Sequence, residues 1–229
     1  MKRRVAVADI ATAEELAREH EPRLIVRHTF GVRIVHWWTT LTFLYLLLSG
    51  FALGYPRMAW LLDLMGGGQS VRFLHPWVGV GFIVGLAFMF VMWLPSMSFH
   101  SVDRHWFRNL GTYIRQGHTD TDTDKFNGGQ KAYYWFSIIN GVLLLVTGVP
   151  LWLPELLPRE WNLAARFTHH GFFLMAAGFL VIHVYLSTAR FPGTFRSMSS
   201  GTVTRAWAAF HHPRWFRRVD AGKEHEGAD

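Results

Sequence analysis

Four long stretches without a charged side chain constrain the fold of this sequence more than any other feature. Asp, Glu, Lys and Arg are absent from residues 34–56, 78–99, 132–154 and 167–189. A helix needs roughly 20 apolar residues to cross the hydrocarbon core of a bilayer, and each stretch is long enough. A soluble domain would instead show shorter, amphipathic segments. We therefore predict an all-α integral membrane protein, built as a four-transmembrane-helix bundle.

The boundaries of the predicted units follow from these stretches. We expect an N-terminal tail at 1–26, a four-helix domain at 27–216 and a charged C-terminal tail at 217–229. The four helices are expected at about 33–55, 76–95, 131–153 and 163–190.

The basic residues indicate how the bundle is oriented. Of the 23 Lys and Arg residues, 19 lie before the first stretch, between the second and third, or after the fourth. Cytoplasmic segments of membrane proteins are enriched in Lys and Arg, so both termini are predicted to be cytoplasmic. This topology explains the net charge of +7 better than nucleic acid binding does.

Cysteine is absent from the sequence. Its absence excludes disulfides, thiolate ligation of an iron–sulfur cluster and covalent attachment of haem through a C-x-x-C-H motif. A metal or cofactor must therefore be held by other side chains. The 13 histidines are the first candidates.

Four histidines lie within the predicted spans or at their ends, at two matched depths. An ionisable side chain inside an apolar span is costly, so it is a functional candidate by default. His75, near the external start of the second helix, matches His169 in depth, and both lie near the external face. His36 and His183 match each other near the cytoplasmic face.

The spacing on the fourth predicted helix places two of these histidines on one face. From His169 to His183, 14 residues turn the helix through about 1400°, about 40° short of four turns, and rise about 21 Å. His170 points elsewhere and is expected to be a neighbour and not a ligand. Two stacked pairs of imidazoles suit two bis-histidine haems, and the offset excludes one tetrahedral zinc site for all four. A polar residue bonded between helices is the alternative for any single histidine.

Several other polar or small residues carry weaker expectations. Gly50 lies at the depth of the outer pair and would leave room for a porphyrin, with close helix packing as the alternative. Four arginines near helix ends could contact haem propionates, with snorkelling as the alternative: Arg33, Arg72, Arg166 and Arg190.

Four histidines are expected to be solvated: His28, His100, His105 and His118. The Thr–Asp run at 119–124 is expected to be a solvated loop, and 211–215 a membrane-surface anchor in preference to a metal site.

Five motifs occur in order between residues 27 and 216. They are Arg33-Ile-Val-His36-Trp37, Leu74-His75-Pro76, Lys125-Phe-Asn-Gly-Gly-Gln-Lys131, His169 with His183, and His211-His212-Pro213-Arg214-Trp215. Together they resemble the γ subunit, cytochrome b556, of respiratory membrane-bound formate dehydrogenases. The four-helix core with two haems is shared more widely with cytochrome b subunits of hydrogenase and thiosulfate reductase.

This resemblance implies a path for electrons. A molybdenum or tungsten catalytic α subunit outside the membrane oxidises formate, and an iron–sulfur β subunit passes electrons to the outer haem b. The inner haem b delivers them to a quinone, either menaquinone or ubiquinone, so this subunit does not itself act on formate. By residue matching, the ligands are His75 and His169 for the outer haem and His36 and His183 for the inner one, with Asn127 and Gln130 at the quinone.

The segment from Asn127 to Gln130 also has an interpretation without the resemblance, because Asn is a good helix N-cap. A quinone needs hydrogen-bond donors at its carbonyls, and the Asn and Gln amides could supply them, so both interpretations stay open. The implied setting is the lipid of a bacterial inner membrane, with a higher oligomer left open and no nucleic acid partner. The alternatives are the cytochrome b subunit of a hydrogenase or other molybdoenzyme and, from another class, a cofactor-free membrane scaffold or transporter.

Overall fold

The computed structural model describes residues 24–117 and 120–222. Along this part of the chain the order is β1 (Leu24–Val26), α1 (Phe30–Gly54), α2 (Trp60–Leu64), α3 (Gly68–Trp93), α4 (Ser101–Arg108), α5 (Leu110–Gln116), α6 (Gly128–Trp152), α7 (Arg159–Tyr185), α8 (Arg196–Ser199), β2 (Thr202–Thr204), α9 (Arg205–His211) and α10 (Pro213–Asp220). A π-helical turn at Leu186–Arg190 continues α7. His118 and most of both predicted tails lie outside the described residues.

Four of the described helices, α1, α3, α6 and α7, are long and apolar enough to cross a membrane. Their number and order agree with the prediction. The largest difference is the start of α3 at Gly68, eight residues before the predicted 76. The turn between α2 and α3 ends earlier than the prediction assumed, because Gly66 and Gly67 complete it with positive φ angles of 89° and 92°. The helix then continues through Pro76, which places its neighbour His75 two turns inside the helix.

A short β-sheet departs from the all-α prediction. β1 pairs with β2 in antiparallel register, with Leu24 opposite Thr204 and Val26 opposite Thr202. Both segments are rich in β-branched or aliphatic residues, which favour extended backbone. The folded unit therefore includes three residues of the predicted N-terminal tail, and α10 extends past the predicted boundary at 216.

The four long helices pack as two pairs. α1 lies along α3, and α6 lies along α7. Contacts between α3 and α6 join the pairs, whereas α1 meets α7 over a much shorter stretch. In the most apolar window of each span, only 11% to 17% of residues are buried by the rest of the described chain. Most of the apolar surface of these helices therefore faces lipid or lines the spaces between helices.

The densely packed core lies at the end of the bundle that carries the β-sheet, which we call the sheet end. One cluster there joins the sheet to the C-terminal helices and consists of Ile25, Val203, Trp207, Ala208 and Trp215. A second cluster joins the end of α3 to the start of α6 and consists of Met97, Phe126 and Tyr134. The segments at the sheet end thus form a packed layer at that end of the bundle.

Residues 121–124 of the Thr–Asp run are part of this layer, so the expectation of a solvated loop was wrong for them. Thr121 and Thr123 are buried. The two aspartates between and after them pair with arginines of α10: Asp122 with Arg214 and Arg217, and Asp124 with Arg218. The run therefore fastens the C-terminal helix to the loop that precedes α6.

A buried ion pair fixes α4 against the first turn of α6. Lys131 Nζ lies 2.7 Å from Asp103 Oδ2, and both side chains are almost fully buried. The same ammonium donates to the carbonyl oxygen of Ser98 at 2.9 Å. Asp103 also accepts from the backbone N–H of His100 at 2.8 Å, so one carboxylate caps α4 and neutralises the lysine.

We expect Asp103→Ala to lower the free energy of unfolding by about 3–5 kcal/mol, because it leaves the Lys131 charge buried without a partner. The matched control is Asp122→Ala, which removes an exposed carboxylate and should cost no more than about 1 kcal/mol. Thermal unfolding of the purified protein in detergent measures both. Equal losses of thermal stability would show that the burial of the Lys131 pair has no special energetic consequence.

Candidate cofactor site

The structure brings the predicted inner histidine pair together. The ring centroids of His36 on α1 and His183 on α7 are 6.4 Å apart, and the rings are tilted by 43°. A bond between a metal and an imidazole nitrogen is about 2 Å long, and the ring centre lies about 1 Å behind that nitrogen. Two imidazoles on opposite sides of one iron therefore have ring centres roughly 6 Å apart. The observed separation fits one iron between the two rings.

Aromatic side chains hold the inner pair. His183 stacks on Tyr133 of α6, with ring centroids 4.6 Å apart and planes inclined by 6°. His36 meets the neighbouring Trp37 edge to face at 5.4 Å. The Nδ1 atom of His36 is buried and has no hydrogen-bond partner within residues 24–117 and 120–222. The inner pair is thus positioned mainly by ring contacts.

The outer pair is held differently, by hydroxyl groups. Ser49 Oγ on α1 lies 2.6 Å from His75 Nδ1 on α3. Thr147 Oγ1 on α6 lies 3.0 Å from His169 Nδ1 on α7. The predicted outer ligands are thus presented by α3 and α7, with His75 within electrostatic range of His169.

The hydroxyl groups determine which nitrogen of each outer imidazole carries the proton. Ser49 donates to the carbonyl of Tyr45 at 2.8 Å, and Thr147 donates to the carbonyl of Leu143 at 2.6 Å. Because each hydroxyl proton is used in this way, the oxygen accepts from the imidazole Nδ1–H. The proton then sits on Nδ1, and Nε2 keeps the lone pair that a metal ligand needs. The residues present fit a haem with histidine axial ligands.

Glycines allow close approach near the outer pair. A Cβ atom at Gly148 would lie 3.1 Å from Cε1 of His169, so the absence of a side chain lets the imidazole rest against α6. Gly50 faces Phe173, and a Cβ atom at Gly50 would lie 2.9 Å from the Phe173 ring. This contact agrees with close helix packing, the alternative stated for Gly50 from the sequence. His170 lies against Gly54 and turns away from both histidine pairs, as the helical spacing predicted.

Asn127 and Gln130 form a reciprocal cap at the start of α6. The backbone N–H of Gln130 donates to Asn127 Oδ1, and the backbone N–H of Asn127 donates to Gln130 Oε1, each at 3.0 Å. Asn127 Nδ2 donates to the Tyr113 hydroxyl at 3.3 Å. The N-cap interpretation is therefore correct. The amide nitrogen of Gln130 makes no hydrogen bond to the described part of the chain.

The four arginines near helix ends fall into two groups. At the sheet end, Arg33 donates to the carbonyl oxygens of Met198 and Ser199, and Arg190 donates to that of Ile114. These two guanidinium groups join α1 to α8 and the end of the fourth span to α5. At the opposite end, Arg72 and Arg166 are exposed and make no hydrogen bond within the described residues, so they are the better candidates for haem propionates.

A buried arginine at the sheet end was not identified from the sequence. Arg27 Nη2 donates to the carbonyl oxygen of Lys125 at 2.6 Å and to His212 Nε2 at 3.1 Å. The guanidinium lies over the rings of Trp207 and Trp215, 4.9 and 5.0 Å from their centroids. Burial lowers the pKa of Arg27 to about 9, which leaves it charged at pH 7.

The Arg27 contacts revise the role of the segment at 211–215. His212 and Trp215 are almost fully buried, and His212 Nδ1 donates to the carbonyl oxygen of Asp124 at 2.6 Å. The expectation of a membrane-surface anchor was therefore wrong. Long-range packing against Arg27 and the loop before Asn127 buries this segment, so it fixes the position of the cap of α6.

Four membrane-length helices that enclose paired histidines define a membrane cytochrome b. The chain matches the prokaryotic cytochrome b561 family over residues 27–201 and belongs to that family, whose cofactor is haem b. It is a multi-pass membrane protein.

Within this family, the curated relatives that the chain resembles are formate dehydrogenase cytochrome b556 subunits. The chain is 37% identical over 198 residues to the formate dehydrogenase cytochrome b556(fdo) subunit of Escherichia coli K12, covering 85% of this chain and 93% of the relative. It is 32% identical over 211 residues to the nitrate-inducible formate dehydrogenase cytochrome b556(Fdn) subunit of the same strain, covering 89% and 97%. A formate dehydrogenase cytochrome b556 subunit of Haemophilus influenzae is 29% identical over 212 residues, covering 88% and 86%. The resemblance stated from the motifs is confirmed.

We expect the sheet end to lose stability in mild acid. His28 was expected to be solvated but is buried, and burial lowers the pKa of both His28 and His212 well below the usual 6.5. The unfolded chain binds these protons near pH 6.5, whereas the folded chain does not, so stability is full above that pH and falls below it. Lowering the pH from 7 to 5 should cost up to about 2 kcal/mol per histidine.

Thermal unfolding at pH 7 and pH 5 checks this expectation. His212→Gln should make the protein less sensitive to acid. His105→Gln, which changes an exposed histidine, should leave the sensitivity as it is in the unchanged protein. Equal acid sensitivity in all three proteins would contradict the role of His212.

Proposed function

We propose that this chain is the membrane electron-transfer subunit of a formate-oxidising complex. It passes electrons from a periplasmic iron–sulfur subunit through two b haems to quinone at the cytoplasmic side. The observations that support this proposal are the 6.4 Å separation of His36 and His183 and the hydroxyl contacts of His75 and His169, in a chain related to formate dehydrogenase cytochrome b556 subunits. A cofactor-free scaffold or transporter would not need such pairs.

Each histidine pair has one role in this proposal. His75 and His169 hold the outer haem, and His36 and His183 hold the inner one. When bound, haem iron supplies one-electron chemistry that no side chain of this protein can perform. The protein contributes neutral imidazoles, fixed ring orientations and an apolar surrounding that excludes water.

The orientation follows from the distribution of charge. The sheet end contains both ends of the described chain and the regions richest in Lys and Arg, so it faces the cytoplasm of a bacterium, and the protein lies in the inner membrane. The inner pair is nearer this end, because His36 lies within the first two turns of α1 and His183 lies in the last turn of α7. The outer pair then faces the periplasm.

The quinone site lies beside the inner pair. Tyr133 stacks on His183 and lies one helical turn after Gln130 on α6, so it connects the capping turn with the inner pair. The Gln130 amide nitrogen offers a hydrogen-bond donor to a quinone carbonyl. Tyr113 offers a second donor, because burial raises its pKa to about 12 and keeps the phenol protonated. Asn127 contributes by holding both groups in place.

The partners follow from the relatives. The proposed complex contains an iron–sulfur β subunit and a molybdenum or tungsten catalytic α subunit, where the formate chemistry takes place. The acceptor is menaquinone or ubiquinone, and a higher oligomer of the complex is compatible with the exposed apolar helices.

Haem quantification of the purified protein tests the proposal. We expect two b haems per chain in a reduced-minus-oxidised spectrum calibrated by extraction. His75→Ala should lose the outer haem, and His183→Ala should lose the inner haem together with quinone reduction. The matched control is His170→Ala, because His170 is on the same helix but faces Tyr55 and should keep both haems.

Other results would point to the rival functions. A purified chain with no haem would favour a scaffold or transporter. Two haems in a chain that copurifies with a hydrogenase would keep the electron path and change the catalytic subunit. Retention of both haems in His183→Ala would overturn the assignment of the inner ligand.

We expect Gln130→Glu to reduce quinone reduction about tenfold or more while both haems stay bound. The substitution keeps the oxygen that caps Asn127 but replaces the amide donor by a second acceptor. Steady-state assays with a quinone analogue measure the effect, and thermal unfolding checks that the cap is intact. Unchanged quinone kinetics would remove Gln130 from the site.

A further inference from the structure

The two histidine pairs differ in the partners of their Nδ1 atoms. In the outer pair, each Nδ1 lies within hydrogen-bond distance of a hydroxyl oxygen, at 2.6 Å from Ser49 for His75 and at 3.0 Å from Thr147 for His169. In the inner pair, His36 Nδ1 has no partner among the described residues. His183 stacks on Tyr133, and its ring makes no hydrogen bond to the part of the chain that the structure describes.

This difference affects how strongly each pair donates electrons to a metal. A hydrogen bond from Nδ1–H gives the imidazole partial anionic character, which makes Nε2 a stronger ligand. A stronger ligand stabilises the more positively charged, oxidised iron and lowers its reduction potential. Hydrogen bonding to axial ligands is one of the means by which proteins adjust the potential of a haem.

We propose that Ser49 and Thr147 are positioning residues that lower the reduction potential of the outer haem relative to the inner one. The inference rests on the proposed function, because it requires a haem at each pair. The proposed difference in potential sets the direction of electron transfer. Electrons that enter at the outer pair move toward the higher potential at the inner pair, beside the proposed quinone site.

The local structure makes both hydroxyl groups dependable acceptors. Ser49 is completely buried, and its hydroxyl proton is directed to the carbonyl of Tyr45. Thr147 directs its proton to the carbonyl of Leu143 in the same way. Each hydroxyl is therefore held by the helix that carries it and presents a lone pair to an imidazole on a neighbouring helix.

The test is a spectroelectrochemical titration of the purified protein with both haems bound. The variants are Ser49→Ala, Thr147→Val and the double variant. Ser49→Ala removes one atom and so creates no clash, while Thr147→Val keeps the shape of the side chain. We expect the outer haem of the double variant to become about tenfold easier to reduce. For a one-electron couple this change corresponds to 59 mV.

Thr40→Val is the matched control. Its hydroxyl also donates to a carbonyl four residues earlier, that of His36, but makes no bond to an imidazole ring. The control should leave both potentials unchanged. The outer haem is identified as the component that disappears in His75→Ala.

Each result of the titration decides one question. A rise in the potential of the outer haem alone supports the inference. Unchanged potentials, or equal shifts of both haems, overturn it while the two-haem function stands. If the unchanged protein binds fewer than two haems, the proposed function fails, and that failure is seen before any variant is measured. Ser49→Thr, which keeps a hydroxyl, should keep the original potential, and a shift in that variant would also count against the inference.

Discussion

The need to satisfy imidazole nitrogens inside hydrocarbon governs the rest of this structure. No water reaches the middle of a bilayer, so a polar atom there needs a partner from the protein or a bound group. In the outer pair, serine and threonine hydroxyls bond one nitrogen of each ring and leave the other for a metal. In the inner pair, ring contacts with Tyr133 and Trp37 position the imidazoles, and His36 Nδ1 has no hydrogen-bond partner within the described residues. The helices must therefore pack so that these partners meet.

The packing of the bundle agrees with this requirement. α1 contacts α3 along its length but meets α7 over a much shorter stretch, so these two helices pack less closely than α1 and α3. Tight packing is instead found at the sheet end, where Arg27 and His212 join the two ends of the described chain to the loop before α6. The protein thus combines an open apolar bundle with a dense layer at one end.

Much of the site could be predicted from the sequence, because it depends on helical geometry. The interval between His169 and His183 sets both a common face and a depth difference, and His183 lies 6.4 Å from His36 between ring centroids. The predicted start at 76 was too late, since the helix begins at Gly68 and continues through Pro76, as a proline can within a membrane helix. The segment at 211–215 was misread, because its burial depends on Arg27, which is 185 residues from His212.

The sequence by itself determined the number of spans, their order and the expected depths of the four histidines. The length of a stretch without charged residues and the repeat of a helix are both local properties of the sequence. The tertiary structure decided which side chain each imidazole contacts, because Ser49 and His75, or Thr147 and His169, lie on different helices. It also decided that the Thr–Asp run and His212 are buried. Contacts of that kind depend on how distant segments pack, and no local pattern of residues encodes them.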